Sequence, residues 1–87
     1  MALLSLRTAG TLLAGVGASH FVAPGLYEPI TAPVFPDGTR SWIYRNGATE
    51  LALGLALRNN SRTLRAAGLA GLLGYTVWLG TNAAKNR

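Results

Sequence analysis

The sequence predicts an all-α fold: an integral membrane bundle of three transmembrane helices with a proline-rich external loop. Three observations predict it. Apolar residues make up 49% of the 87-residue chain and charged residues only 13%, about half the usual charged share. Residues 8–22 and 66–84 contain no Asp, Glu, Lys or Arg, so a helix built from either has no charged face to turn to water. All four prolines fall in one stretch between apolar segments, where proline can sit without removing a hydrogen bond from a helix interior.

The helices are expected over residues 3–23, 42–57 and 63–82 of a single domain spanning 1–87. Each is about 16 to 21 residues, roughly 24–32 Å of helix, close to a hydrocarbon core about 30 Å thick. Pro24, Pro29, Pro33 and Pro36 make 24–41 a loop. Asp37-Gly38 is a turn signal within it, and Ser41 is the expected N-cap of the second helix. The loop is apolar (Leu26, Tyr27, Ile30, Val34, Phe35), which puts it on a membrane surface or against a partner. Residues 58–62, Arg-Asn-Asn-Ser-Arg, form a tight polar turn in which Asn60 or Ser61 caps the third helix. Val16-Gly17-Ala18 resembles a signal-peptide cleavage site, but the segment is expected to stay as the first helix.

Charge sets the expected orientation. The net charge is +5, and seven of the eight basic residues are Arg. They are dispersed between apolar stretches instead of gathered on one face, which argues against nucleic acid as a partner. Basic residues bracketing apolar segments are the usual flanks of membrane spans. Arg7, Arg58, Arg62 and Arg65 together on the cytoplasmic side put the N-terminus inside and the proline loop outside an inner (plasma) membrane.

Enzyme chemistry has little to build on. With no cysteine there is no thiolate metal site. His20, Glu28, Asp37 and Glu50 are too scattered for a closed one. No Ser–His–Asp set or phosphate-cradling glycine loop is present. The chain is therefore expected to be non-enzymatic and to need no cofactor.

Glu50 is the most informative residue. It lies eight positions from Trp42 and eight from Arg58, so about 12 Å of helix separates it from either end of its span. A carboxylate at that depth must face protein. Asn46 shares its helical face, and Tyr75 lies close to the same level. His20 and Arg45 count out about 8 Å higher. Together His20, Arg45, Asn46, Glu50 and Tyr75 form the expected intramembrane polar cluster, either a proton relay or, as the leading expectation, a polar clamp on helix register. Trp42, Tyr44 and Trp78 read as an aromatic belt. Small residues recur every four positions: Gly10, Ala14 and Ala18; Ala48, Ala52 and Ala56; Ala66, Ala70 and Gly74. Such stripes let helices approach closely in lipid, and some are expected to meet a partner protein.

His20-Phe21-Val22-Ala23-Pro24, the proline-rich segment, and Trp42-Ile43-Tyr44-Arg45-Asn46-Gly47-Ala48-Thr49-Glu50-Leu51 occur in an order that resembles the small DoxX-like membrane proteins of actinobacteria. The resemblance runs from residue 17 to about 80 and rests on an HF-x-x-P stretch and an NG-x-x-E stretch. It implies a four-helix bundle, one helix more than is read here, so one wall is open to a partner. The expected role is an accessory subunit of a larger membrane complex, with the permease of an Mce-type lipid importer as host and membrane lipids as neighbours. A respiratory complex is the other host, and a small homo-oligomeric proton- or cation-coupled carrier using Glu50 is the alternative function.

Overall fold

A computed structural model describes residues 5–86, so Leu3, Leu4 and Arg87 lie outside the described residues. The described chain is all-helical. Helix α1 covers Leu6–Val22, a 3-10 turn Pro24–Tyr27, α2 Glu28–Thr31, α3 Thr39–Leu57 and α4 Arg62–Lys85.

Each boundary has a local cause. Ser5 opens α1 by accepting a hydrogen bond from the Thr8 amide at 3.1 Å, and Pro24 follows its end. The expected loop 24–41 is more ordered than its prolines suggest. Pro24 and Pro29 each sit in the first turn of a short helix, where the missing N–H costs nothing. Helix α3 begins at Thr39, three residues before Trp42, because Gly38 takes the left-handed φ of 68° and its carbonyl accepts from the Trp42 amide. Ser41 is therefore inside the helix and caps nothing. Ser61 is the cap of α4, accepting from the Leu64 amide at 3.3 Å, and α4 continues to Lys85, past the expected end at 82.

Helix α3 is the centre of the molecule. It packs antiparallel against α1 on one side and α4 on the other, and the backbones of α1 and α4 do not approach each other closely among the described residues. The α1–α3 seam is made of glycine. A Cβ added at Gly10 would meet the backbone of Gly54 and Arg58, and one added at Gly17 would meet Gly47 and Leu51. Close backbone approach of this kind is how helices associate where no water drives them together. Helix α4 is held more loosely, with only Gly68 buried.

Two polar ends close the arrangement. At the hairpin end the Arg7 guanidinium donates to Asn60 Oδ1 at 3.0 Å, and Arg58 Nε donates to Thr11 Oγ1 at 3.0 Å. At the other end the proline segment folds over α3. Buried Phe35 stacks on Trp42 with ring centroids 4.5 Å apart, and Trp78 lies 5.5 Å from Trp42. Trp42 and Trp78 thus form a clasp on the segment, where an aromatic belt was expected.

Among the described residues no single helix is long and apolar enough to cross a membrane. Helix α1 has 17 residues, α3 carries Arg40, Arg45 and Glu50, and α4 has polar residues along its length. Helix α1 and residues Pro24–Thr31 pass together in length and composition, but the pair is bent by 109°.

Candidate functional site

Because the backbones of α1 and α4 stay apart, a wedge opens between them on one side of α3. The proline segment roofs it, and the resulting cavity has a volume of about 550 Å³. Its polar wall is built from three elements: His20 from α1, Asn46 and Glu50 from α3, and Tyr75 from α4.

The Tyr75 hydroxyl donates to Glu50 Oε2 at 2.8 Å. His20 Nε2 faces the same oxygen at 3.9 Å, too long for a hydrogen bond. The other ring nitrogen, Nδ1, is 2.8 Å from the Val16 carbonyl oxygen. A carbonyl only accepts, so Nδ1 carries a hydrogen and Nε2 is the atom that can gain or lose a proton toward Glu50. The ring is fixed from behind by Tyr27, stacked at 3.7 Å between centroids, whose hydroxyl is in turn bonded to Ser19 Oγ. Glu50 Oε1 and the Asn46 amide, whose residue is only 7% exposed, belong to the same cavity wall, and no buried side-chain polar atom is left unpaired among the described residues.

His20 is a full step lower than its count along α1 implied. The glycine seam sets the register: Gly17 sits beside Gly47, and a Cβ at Gly47 would strike the His20 side chain. That seating brings the imidazole down to Glu50. Arg45 does not join the cluster. It is exposed and lies over the Trp42 ring at 4.8 Å from the centroid, a cation–π contact that holds its charge near the end of the helix.

The small-residue stripes divide. Gly10 and Ala14 are buried in the α1–α3 seam, but the third member is Gly17, and Ala18 is half-buried. On α3 the seam uses Gly47 and Gly54, while Ala48 and Ala52 are exposed and half-buried Ala56 faces Gly68. Ala66, Ala70 and Gly74 of α4 are all exposed. The signal missed was spacing by seven: Gly10 and Gly17 face Gly54 and Gly47 across an antiparallel pair. Tyr27 was also missed, because only the bend after α1 folds it back onto His20.

Residues 9–85 match a family described as a domain of unknown function, DUF8561. The match covers most of the chain. The chain belongs to the DUF8561 family. No curated protein and no solved structure matches it, so the functional reading of this DUF8561 member rests on its own geometry.

Proposed function

We propose that this DUF8561 member is an integral membrane protein, a non-enzymatic accessory subunit of a larger complex in the inner membrane. One observation carries the reading. Among the described residues the buried apolar side chains are Ala14, Phe35, Ile43 and Leu57, while fourteen large apolar side chains are exposed, Leu12, Val22, Leu26, Leu73 and Val77 among them. An apolar surface on that scale marks a membrane or protein contact. Lipid wets it at no cost, and a fold with so few buried apolar side chains is poorly supported in water.

The charges that keep α3 from reading as a span are hidden or at its ends. Glu50 is turned inward onto Tyr75, Arg45 lies on Trp42, and Arg40 pairs with Glu28 at 3.3 Å. The molecule is 38 Å along its longest axis, close to a bilayer with its headgroups at about 40–45 Å. Exposed Ala52 on α3 and Ala66, Ala70 and Gly74 on α4 are left available to a partner helix. A lipid importer of the Mce type is the host this reading favours.

The experiment is purification of the tagged chain from membranes in mild detergent, with mass spectrometry of what comes with it. Recovery of one large membrane complex in stoichiometric amount is expected. Recovery of the chain alone, or its release from membranes by alkaline carbonate, would overturn the reading.

A second reading has its own support. His20, Glu50 and Tyr75 form a connected polar site beside an open cavity, which suits a small proton- or cation-coupled carrier. Glu50→Gln separates the two: an accessory subunit assembles and supports its host with Gln, whereas a carrier assembles and stops working.

A further inference from the structure

We infer that the cavity between α1, the proline segment and α4 binds a lipophilic organic cation: a protonated amine or quaternary onium centre carried on an apolar body. The inference deepens the carrier reading by naming what Glu50 would bind, and it is tested as binding, so a chain that binds without transporting keeps the site and loses the carrier.

The volume, about 550 Å³, lies within the usual range of small-molecule sites. Most of the wall is apolar, with Val16, Ile30, Val34, Phe35 and Leu79 supplying it. The charge on that wall has one sign. Glu50 is the single carboxylate lining the cavity, and no Lys or Arg among the described residues lines it, in a chain with eight basic residues and three acidic ones. The nearest arginine in sequence, Arg45, is committed to Trp42, and Arg58 is bonded to Thr11 at the hairpin end.

The groups facing Glu50 are therefore few. Tyr75 donates from α4, His20 faces it from α1 with Tyr27 stacked behind, and Asn46 is one turn away on α3. Tyr75 satisfies one carboxylate oxygen, and Asn46 lines the cavity beside it. A bound cation would supply the counter-charge to the carboxylate, and a protonated amine would in addition donate to the Asn46 amide oxygen. The rings of Tyr27, Phe35 and Tyr75 line the same space and present faces that attract a cation. A neutral amphiphile would use the apolar wall but leave the carboxylate uncompensated.

The test uses the full chain in non-ionic detergent, with tetraphenylphosphonium as the cationic probe and triphenylphosphine oxide as a neutral one. Binding is followed by equilibrium dialysis and by the fluorescence of Trp42 and Trp78, which flank Phe35. Saturable binding of the cation is expected. Glu50→Gln should weaken it about thirty-fold or more, the low end for removing one partner of a buried charge pair. Thr76→Lys, which adds an ammonium to the cavity wall, should abolish binding, and it decides the matter if Glu50→Gln loses its helical circular dichroism. Uptake of the neutral probe should not respond to either substitution. The inference is overturned if the cation binds no better than the neutral probe, or if its affinity is unchanged in whichever of the two variants folds.

Discussion

At the scale of single residues, two kinds of position carry the account, and they differ in how legible they were. Glu50 and Tyr75 could be paired from helix rise alone, since both fall near the middle of their helices. His20 could not, because its level depends on how α1 slides along α3, and that is set by glycines on both helices. Gly47→Ala tests this directly. Its Cβ would run into His20 and the Gly17 carbonyl, so it should destabilise the protein by at least about 1–3 kcal/mol, the usual scale of overpacking. Gly74 has nothing within 4 Å of an added Cβ. Gly74→Ala should be neutral or stabilise by up to about 1 kcal/mol through helix propensity. Thermal unfolding in detergent by circular dichroism measures both, and equal effects would contradict the seam. Tyr75→Phe removes the hydrogen bond to Glu50 and should cost about 0.6 kcal/mol, the average for such contacts between membrane helices, in the same assay.

At the scale of elements, the three long helices were legible because charge-free runs mark α1 and α4, while the prolines before it and the polar turn at 58–62 bracket α3. The short helices within 24–31 were not. Four prolines in thirteen residues read as a loop, yet two of them occupy first-turn positions where proline is accepted. The start of α3 was hidden for a related reason: a left-handed Gly38 opens the helix and Ser41 has no part in it. The stripe on α3 was misjudged by following alanines at every fourth place, while the contact uses glycines seven apart. That leaves Ala52 and Ala70 outside the internal packing and exposed. Ala52→Leu and Ala70→Leu should leave the thermal stability of the isolated chain within about 0.5 kcal/mol, as for other exposed changes. At least one of them should deplete the partner recovered on purification, because a larger side chain blocks close helix approach in lipid. Unchanged recovery with both would remove the physical support for a partner on these faces.

At the scale of the whole molecule, an all-helical architecture followed from the sequence, and a bundle with one open wall was expected from the family resemblance, but where it opens was not legible. The structure is a central helix with a neighbour on each side and a polar-walled wedge between those neighbours. Which helices touch depends on seam geometry that apolar content does not encode. The central claim is that this open arrangement crosses a membrane with its arginine end inside. Asp37 and Thr63 are both exposed, at opposite ends of the molecule, and a cysteine at either would be the chain's one thiol. The most direct measurement is labelling of Asp37→Cys and Thr63→Cys in intact cells with a membrane-impermeant thiol reagent. The account predicts that Asp37→Cys is labelled at once and Thr63→Cys only after the cells are permeabilised. Equal labelling of the two sites in intact cells, or none at either before permeabilisation, would contradict a membrane-spanning chain, and labelling of Thr63→Cys alone would invert its orientation.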